Sequence, residues 1–523
     1  MTSVAPAAAP QPPLFHAEAA RTPLQEAVAS ELGGGLASAF LVLPSQLDGF
    51  VQVGEPREER LVVNFGTSKK RCPTAVTVRT VPGELVTADA APAACPCCGG
   101  ETEGNGTAAI TLWHLPMGMG RTRLEVSRQR WACRSCGHTH VEGLPFKAAG
   151  HRVTVPLLNF VWDLLELGQT LKAVSLTTGL HRDVVKAIDR ARLESLYTEV
   201  GGDGRRRLRR PESQARYLGI DESELRDGHR CATVIIDLET GHVLWLAHTK
   251  RRQVVYDFCG FVGEEWMSGV VAVACDMDAD FERAFTERHP HLAVVYDHFH
   301  LVKNLNEKVI SEVRKDEQRR LRDEGDEEAA KALKGSKHIL MTKGSTRLGK
   351  DRDARAGKVV SRGNELFGKP EVTQRGGNRA RYEELIGRNE LLAACDIVKE
   401  MLARAYAYRQ EKVMRDAMGQ IVEVCRGTGD RHFEWFARLV EGHMDGIVAH
   451  ARHQISSGKV EGTNSMIKSL RRAGYGYPDD EYFFLKIFDS SRRYSPAGRW
   501  WRSRGYPQVF GLSRNYELDD HSA

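Results

Sequence analysis

The sequence predicts a multidomain protein that combines α+β and α/β domains, and three features of the chain support this prediction. Two Cys-x-x-Cys pairs occur between positions 95 and 136. The segment from Val153 to about Glu199 has helical patterning throughout. Beyond position 215, short β-rich runs alternate with helical segments, and several of these runs end on an aspartate. This order predicts a small N-terminal domain, a helical domain and a larger α/β domain.

Length and composition are those of a globular protein without a membrane segment. The 523 residues suffice for about two to four domains with hydrophobic cores. Apolar residues make up 41% of the chain and charged residues 27%, and the net charge of +5 is only mildly basic. The N-terminus lacks the basic and apolar regions of a signal peptide, so we expect a cytoplasmic protein. The most apolar segments are too short or too interrupted by charge to span a membrane.

Residues 1–90 form an N-terminal region to which the sequence assigns no function. About the first 20 residues are rich in Ala and Pro, and we predict that they are disordered. One helical segment, TPLQEAVASEL, and two β-like runs, LVVNF and TAVTVRTV, follow them.

The two Cys-x-x-Cys pairs predict a zinc-ribbon domain over residues 91–150. Cys95 and Cys98 form the first pair, Cys133 and Cys136 form the second, and a glycine after each pair permits a tight turn around the metal. The segment between the pairs is longer than the usual roughly 15–20 residues. A β-hairpin made of TAAITLWHL and TRLEVSRQRWAC would absorb the excess. We therefore predict one structural Zn²⁺ held by four thiolates.

Other interpretations of these cysteines stay open at this point. The thiols could be buried without a metal, and redox chemistry is less favoured because no βαβ unit surrounds either pair. Cys97 is an additional thiol next to the first pair. His114 and His138 are possible substitute ligands.

Residues 151–200 predict a helix–turn–helix domain. A short helix begins at Leu171, a turn follows at Gly179, and a second helix begins near His181. In such a unit the second helix enters the major groove with its first side chains toward the base edges. We expect three of its side chains to contact DNA: His181, Arg182 and Lys186. An ordinary helical hairpin is equally consistent with this pattern.

Residues 201–214 predict a linker that is dense in cations. It contains five arginines: Arg205, Arg206, Arg207, Arg209 and Arg210. A solvated linker is the simplest interpretation. Its position between two candidate nucleic-acid-binding modules favours contact with phosphates instead.

Residues 215–305 carry the strand pattern of an α/β domain. Three strands come first, then a helix near residues 254–262, a fourth strand, a second helix and a fifth strand. This is the order of the ribonuclease H-like fold, in which strands one and four are neighbours. The first strand ends on Asp221 and the fourth on Asp276, so we expect these two carboxylates to meet at one edge of the sheet.

A third aspartate, Asp297, ends the fifth predicted strand and begins the stretch Asp-His-Phe-His that includes His300. Asp297 is the chief alternative to Asp276 as the carboxylate that acts together with Asp221. An aspartate after a strand also commonly caps the helix that follows it, and this simpler interpretation applies to both residues.

Residues 306–450 predict a helical insertion in this domain. Within it, the glycine- and cation-rich piece KGSTRLGKDRDARAGKVVSRG is interpreted as either a DNA-contacting loop or a solvated one. Residues 451–500 complete this α/β domain with a helix that begins near Glu461. Lys468 and Arg471 follow on the same face at helical spacing and add a basic strip. Residues 501–523 form a C-terminal tail.

Three carboxylates from separate parts of one fold are suited to metal-assisted phosphoryl transfer. Two Mg²⁺ ions, or Mn²⁺ ions, about 3.5–4 Å apart would activate a water or a 3′-hydroxyl and stabilise the leaving oxygen. Hard divalent cations prefer oxygen ligands, which favours acids over histidines in this role.

The chain resembles the ISL3 (ISL-three) family of bacterial insertion-sequence transposases, which are of the DDE class. The resemblance rests on the cysteine pairs, the helix–turn–helix pattern and the motifs YLGIDE, ACDMDADF, VVYDHFHLVKNLN and SGKVEGTNSMIKSLRRAGYGY. It implies that Asp221, Asp276 and Glu461 are the catalytic and magnesium-binding triad, with an all-helical insertion between the second and third acids. Asp297 and His300 match an Asp-x-x-His signature of related transposases and are expected to support the site.

The resemblance also implies the partners of the chain. These are double-stranded DNA, both at the ends of the element and at the target, and a second copy of the chain in a dimer on DNA. No membrane partner is expected, and the protein would associate with the nucleoid when it is bound to DNA.

Three functions are consistent with these features. The first is a transposase that cuts and joins DNA at the terminal inverted repeats of its own element. The second is a domesticated DNA-binding regulator that uses the zinc and helix–turn–helix modules without transposition. The third is a ribonuclease H-like nuclease that does not join DNA, which would not explain the two N-terminal modules. The three intact acids favour the first function over the second.

Overall fold

The computed structural model describes residues 47, 49–64, 73–85, 94–117, 120–226, 230–248, 252–277, 279–474 and 476–493. These residues divide into one compact unit up to Arg192 and a second unit from Leu193 onward. The disorder predicted for the first residues, the helical segment TPLQEAVASEL and the tail 501–523 lie outside the described residues.

The first unit contains a six-stranded sheet. Its strands are β1 (Phe50–Gln52), β2 (Arg57–Asn64), β3 (Pro73–Leu85), β4 (Thr102–Met117), β5 (Gly120–Cys133) and β6 (Thr139–Val141). The predicted hairpin is present as the antiparallel pair β4 and β5. Strand β3 runs parallel to β5, so strands that precede residue 90 share one sheet with the hairpin. The boundary that we placed at residue 90 therefore does not separate two sheets.

Three helices follow the sheet in the order that the sequence predicts: α1 (Val155–Glu166), α2 (Leu171–Thr178) and α3 (Arg182–Tyr197). Thr154 and Thr170 cap the first two helices, because each side-chain oxygen accepts a hydrogen bond from a backbone N–H three residues later. Gly179 ends α2 with a φ of 80°, a left-handed conformation that favours glycine. The apolar faces of the helices share one core that includes Val161 and Ile188.

The second unit begins with a small hairpin where we predicted a linker. Strand β7 (Thr198–Val200) pairs with β8 (Arg206–Leu208). All five arginines are exposed, and three of them also make contacts within the protein. Arg206 donates to Thr198 Oγ1, Arg207 pairs with Asp203, and Arg209 donates to the backbone oxygens of Ser195 and Thr198. Arg205 and Arg210 are the other two exposed arginines.

A five-stranded mixed sheet forms the centre of the second unit. Its strands are β9 (Tyr217–Arg226), β10 (Arg230–Asp237), β11 (Val243–Ala247), β12 (Ala272–Cys275) and β13 (Ala293–Tyr296). The spatial order is β11-β10-β9-β12-β13, in which β9, β12 and β13 run parallel and the other two pairs are antiparallel. The predicted adjacency of the first and fourth strands is therefore confirmed. Helices α4 (Gln253–Val262), α5 (Glu264–Ser268) and α6 (Ala279–Arg288) connect the strands.

The first strand of this sheet is longer than the sequence predicted. We expected it to end on Asp221, but β9 continues to Arg226. The reason is its antiparallel partner β10, which pairs with β9 as far as Arg226, whereas β12 pairs with β9 only up to Gly219. Asp221 therefore lies inside a strand, beyond the point where the parallel neighbour stops.

The insertion begins with helix α7 (His298–Asn304), a π-helical segment (Leu305–Ile310) and α8 (Ser311–Asp323), which follow one another without a break. The helices after them are α9 (Glu327–Leu333), α10 (Lys337–Met341), α11 (Gly344–Arg355), α12 (Asn378–Gly387), α13 (Glu390–Ala405), α14 (Glu411–Gly427), α15 (Arg431–Gly442) and α16 (Met444–His453). Strands β14 (Val359–Ser361) and β15 (Val372–Thr373) interrupt the series as a hairpin. The expectation of an all-helical insertion is thus wrong, because this glycine-rich segment pairs with itself.

The insertion and one face of the central sheet share a single core. Val273 and Tyr296 of the sheet and Val309 and Phe433 of the insertion belong to the same cluster of buried side chains. Two last helices, α17 (Gly458–Ala473) and α18 (Asp480–Arg493), cover the other face. Among the described residues, no helix has the length and apolar character needed to cross a membrane.

Candidate active site

Two carboxylates lie near the point where the parallel strands β9 and β12 stop pairing, Asp221 within β9 and Asp276 directly after β12. The parallel register pairs Ala274 with Gly219. Asp276 and Asp221 each follow two residues further along, so their backbones are at the same height. Burial raises the pKa of Asp221, while the nearby charges of His300 and Asp276 act on it in opposite directions. The structure therefore brings the first two predicted acids together.

His300 supplies a positive charge beside Asp276. Its Nδ1 lies 2.9 Å from Asp276 Oδ1, and this hydrogen bond raises the pKa of His300 above its usual value. Burial alone would raise the pKa of Asp276, but the hydrogen bond and the charge of His300 outweigh it, so the pKa of Asp276 is lowered. Asp276 thus stays ionised more readily than Asp221, which leaves two carboxylates of different basicity at one edge of the sheet.

Helix α17 contributes the next side chain of the site. Asn464 is buried, and its Nδ2 donates a 2.8 Å hydrogen bond to Asp221 Oδ2. Its Oδ1 is buried without a hydrogen-bond partner among the described residues. Glu461 lies one helical turn earlier and is exposed. The oxygens of Asp221, Asp276 and Glu461 do not all lie within 4.8 Å of one another. The third acid, Glu461, is carried by helix α17, which packs on the sheet.

Two contacts hold the start of α17 against the sheet. Lys459 Nζ donates to the backbone oxygens of Leu238 and Glu239. Val460 packs over Gly219 of β9, where an added Cβ would lie 2.5 Å from Val460 Cγ2. A glycine in a strand often marks such a close approach, because any larger residue would push the neighbouring element away. Gly219 therefore helps to set the distance between Glu461 and the sheet.

Helix capping does not account for the two strand-end acids. Asp276 lies three residues before Ala279, the first residue of α6, so it is not the cap of that helix. Asp297 is at the cap position of α7, but its side chain makes no capping hydrogen bond. Instead, Asp297 is only 3% exposed and accepts a hydrogen bond from Ser457 Oγ. Because Ser457 directly precedes α17, this bond ties the end of β13 to the helix that carries Glu461.

The four predicted zinc ligands form a close group in the first unit. Their sulfur atoms lie within 4.8 Å of one another: Cys95, Cys98, Cys133 and Cys136. Each pair closes its turn in the same way, because the N–H of Gly99 donates to Cys95 O and the N–H of Gly137 donates to Cys133 O. Both glycines have positive φ values, 69° and 70°, as the sequence predicts. Four sulfurs at this spacing fit a tetrahedral zinc site.

The alternative zinc ligands lie outside this group. His114 is buried, its Nδ1 lies 2.8 Å from Thr154 Oγ1, and burial lowers its pKa to about 4. Neither His114 nor His138 places a ring nitrogen within the sulfur cluster, and Cys97 is exposed outside it. The donor set is therefore the four cysteines alone.

The side chains predicted to contact DNA occupy varied positions. His181 directly precedes α3 and Arg182 is its first residue; both are exposed, whereas Lys186, further along α3, is partly buried. On α17, Lys468 is exposed and Arg471 is partly buried. The exposure of His181 and Arg182 is compatible with contact to a DNA groove, because both residues lie at the start of α3.

Three residues that place α17 were missed by sequence reasoning: Gly219, Lys459 and Ser457. A lone glycine inside a strand pattern is a recognised signal of close backbone approach, so Gly219 could have been found. Lys459 and Ser457 carry no such signal. Each acts on a partner that is more than a hundred positions away, and only the folded chain brings the partners together.

Comparison with known proteins agrees with this organisation. The transposase family defined by the ISL3-type DDE domain matches residues 218–487, and the zinc finger of transposases IS204, IS1001, IS1096 and IS1165 matches residues 91–136. The transposase for insertion sequence element IS1001 from Bordetella parapertussis is 30% identical over 374 residues, which cover 71% of this chain and 82% of that protein. The transposase for element IS1557 from Mycobacterium tuberculosis (strain ATCC 25618 / H37Rv) is 24% identical over 292 residues, 54% of this chain and 61% of that protein.

These matches place the chain in the class of DNA-processing enzymes that carry an N-terminal zinc ribbon. The chain belongs to the ISL3 family of insertion-sequence transposases.

Proposed function

We propose that this chain is a DDE-type transposase that binds the terminal inverted repeats of an insertion sequence and catalyses Mg²⁺-dependent cleavage and transfer of DNA strands. The observation that carries the proposal is the meeting of Asp221 and Asp276 on adjacent parallel strands. Glu461 completes the set of acids from α17, which packs on the same sheet. In this proposal the domain is ribonuclease H-like.

The residues of the site fit divalent metal ions. Asp221, Asp276 and Glu461 would hold two Mg²⁺ ions, which when bound activate the attacking oxygen and stabilise the leaving oxygen. Carboxylate and amide oxygens are the ligands that Mg²⁺ prefers. The buried Oδ1 of Asn464, which has no partner among the described residues, is one further oxygen at the same place. An unsatisfied buried oxygen is costly, and a cation or its bound water would satisfy it.

The other residues of the site hold these acids in position. Asn464 orients Asp221 through its hydrogen bond. His300 keeps Asp276 ionised by holding a proton at hydrogen-bond distance from it. The bond between Asp297 and Ser457 fixes the start of α17 and thereby the position of Glu461. Asp297 acts in this proposal as a positioning residue, which supports Asp276 as the second acid.

DNA recognition is proposed for separate modules. The helix–turn–helix formed by α2 and α3 would read the element ends, while exposed cations such as Arg205, Arg210 and Lys468 would contact phosphates. Two copies of the chain would assemble on the paired ends. The zinc ribbon would stabilise the N-terminal module through one Zn²⁺.

The direct test of the function is a cleavage assay with a duplex made from the DNA that flanks the coding sequence. Purified protein with Mg²⁺ should nick or cut this duplex at the end of the inverted repeat and join the free 3′-hydroxyl to a second DNA. Binding without any cleavage by the intact chain would instead favour a domesticated regulator. Cleavage without joining would favour a nuclease.

Gly219→Ala should impair cleavage by displacing α17. The new Cβ would meet Val460 Cγ2 at 2.5 Å and Leu238 Cδ2 at 2.8 Å, and overpacking of this kind costs about 1–3 kcal/mol. A shift of about 1 Å in a catalytic group can lower a rate roughly 100-fold. We therefore expect a lower cleavage rate together with a lower melting temperature.

Two further variants test this explanation. Gly260→Ala, in α4, adds the same methyl group in open space and should not reduce either quantity. Adding Val460→Ala to Gly219→Ala should restore part of both, because it removes the atom that the new Cβ meets. Equal damage from the two glycine variants would contradict the proposed contact.

Arg182→Ala should reduce the preference for element ends over unrelated DNA, whereas the double variant Arg205→Ala/Arg210→Ala should weaken binding to both DNAs alike. Contacts with bases carry sequence information and contacts with phosphates do not. Loss of two phosphate contacts should also lower the slope of log affinity against log salt by about 2. Titrations with both DNAs at several salt concentrations measure these effects. If the double variant alone lost specificity, the two roles would be reversed.

A further inference from the structure

The hairpin formed by β14 and β15 is closed at its tip by a compact turn. Asn364 and Lys369 exchange backbone hydrogen bonds of 2.8 Å and 3.0 Å, and the N–H of Phe367 also donates to Asn364 O. Gly368 completes the turn with a φ of 58°. At the base, Gln374 N donates to Lys358 O. The residues at the tip are therefore presented on a closed backbone with several hydrogen bonds.

The base of the hairpin is attached to two helices of the insertion. Asp351 of α11 accepts hydrogen bonds from the backbone N–H groups of Asn378 and Arg379 at the start of α12. The side chain of Asn378 donates to the same carboxylate. These bonds hold together the two points at which the chain leaves for the hairpin and returns from it.

The tip carries the two most exposed large apolar side chains among the described residues of the protein. Leu366 is 91% exposed and Phe367 is 74% exposed. Val360 and Val372 of the strands are also exposed. Single exposed apolar residues are common, but a group of them on one projecting hairpin is typical of an interaction site. The fold does not use these side chains for its own core.

Cations surround this apolar tip. Arg362, Lys369 and Arg375 lie on the hairpin, are exposed and have no ion pair with any described residue. The nearest acids on α11 are already engaged, because Asp353 pairs with Lys358 and Asp351 binds the start of α12. Two glutamates, Glu365 and Glu371, also lie on the hairpin, so it combines apolar residues at its end with a small excess of positive charge.

We propose that this hairpin is a DNA-contacting element in which Leu366 and Phe367 insert into the base stack of duplex DNA. The three cations on its sides contact the phosphates of the same duplex. Positive charge favours a polyanion over a second copy of this chain, which is itself positively charged. Apolar wedges such as Phe and Leu are known to unstack base steps and to bend the duplex.

The proposal rests on the proposed function, since it takes the DNA that the transposase processes as its partner. Its test uses binding and fluorescence rather than cleavage, so that the two can fail separately. The probe is a duplex made from the DNA that flanks the coding sequence, with a fluorescent adenine analogue placed in turn at successive positions near the end of the repeat. The analogue brightens when its base leaves the stack.

The intact protein should raise the fluorescence at one or two adjacent positions. The double variant Leu366→Ser/Phe367→Ser should abolish this rise and weaken binding about ten-fold, the order expected for the loss of one stacking contact. Ile397→Ser is the matched control, because Ile397 is also an exposed apolar residue but lies on α13 away from the hairpin. It should leave fluorescence and affinity unchanged.

The cations are tested by a triple variant, Arg362→Ala/Lys369→Ala/Arg375→Ala. Loss of three phosphate contacts should lower the salt slope of binding by roughly 2 to 3. The control neutralises three other exposed lysines of the insertion, Lys331, Lys334 and Lys337, and should change the slope much less. Equal effects of the two triple variants would mean that the hairpin only adds to a diffuse positive charge, and this would overturn the proposal.

Self-association is the other outcome that the experiment must recognise. Sedimentation of the free protein and of the Leu366→Ser/Phe367→Ser variant should give the same oligomeric state. A dimer that is lost in the variant, together with unchanged fluorescence of the probe, would show that the tip binds a second copy and would refute the DNA contact. Normal cleavage by a protein that never brightens the probe would also refute it, while leaving the proposed function intact.

Discussion

Replacing Asp221 or Asp276 by asparagine should lower the rate of Mg²⁺-dependent cleavage by about a thousand-fold or more, equivalent to about 4 kcal/mol of transition-state stabilisation. Each substitution removes one negative charge from the proposed metal site at the reacting phosphate. Asparagine has nearly the same shape, so the sheet and the contact with α17 should persist. The measurement is the single-turnover cleavage rate of the repeat-end duplex with the enzyme in excess.

Binding of the same duplex in the absence of Mg²⁺ should be unchanged in these variants, because the acids do not form part of the proposed DNA-reading surfaces. Glu461→Gln should behave in the same way if α17 supplies the third acid. Asp297→Asn is the decisive comparison. Asparagine has nearly the same volume as aspartate, and this variant should reduce cleavage less, since Asp297 is buried against Ser457. If the Asp297→Asn variant were inactive and the Asp276→Asn variant were active, Asp297 rather than Asp276 would be the second acid.

The positions of the first two acids could be predicted because local signals determine them. Short apolar runs that end on Asp276 and Asp297 indicate strands, and the strand order implies that the strands of Asp221 and Asp276 are neighbours. The parallel register then puts the two acids at one height. This step used the sequence order of strands and helices together with the strand arrangement of the ribonuclease H-like fold that this order matches.

The position of α17 could not be predicted in the same way. It depends on Gly219 beneath Val460, on Lys459 reaching the turn after β10, and on Ser457 meeting Asp297. Each contact joins segments that are far apart in sequence, and the residue types alone do not indicate which partner each residue contacts. Asn464 follows Glu461 by three positions and so lies on a related face of the helix, but only the fold shows that Asn464 bonds to Asp221.

The insertion and the linker were misjudged for a different reason. Both segments are rich in glycine and in charged residues, a composition typical of loops. Glycines such as Gly204 and Gly368 adopt positive φ and let each segment turn back on itself. Short antiparallel pairs then form without apolar alternation long enough to be recognised as strands. Composition therefore predicted exposure correctly and secondary structure incorrectly.

Removing a zinc ligand should have the largest effect on the stability of the chain. Cys98→Ser or Cys133→Ser should lose the metal and unfold the region around the two cysteine pairs, because binding of a structural Zn²⁺ contributes roughly 10–16 kcal/mol in small zinc domains. The four sulfurs lie at the open end of the hairpin β4 and β5, away from its turn, where Thr102 pairs with Cys133. Few apolar side chains are available there to replace the metal, since Cys98 and Cys136 are exposed.

Cys97→Ser is the matched control for this prediction. Cys97 is adjacent to Cys98, is also exposed and lies outside the sulfur cluster, so its loss should leave the metal content at one zinc per chain. Elemental analysis of protein purified without chelator gives that content, and limited proteolysis reports on the fold of residues 94–141. The proposed function places cleavage chemistry in the second unit, so the ligand variants should retain the proposed Mg²⁺ site but lose binding to the element ends. Zinc retained after loss of any one of the four cysteines would mean that another group, such as His138, completes the site.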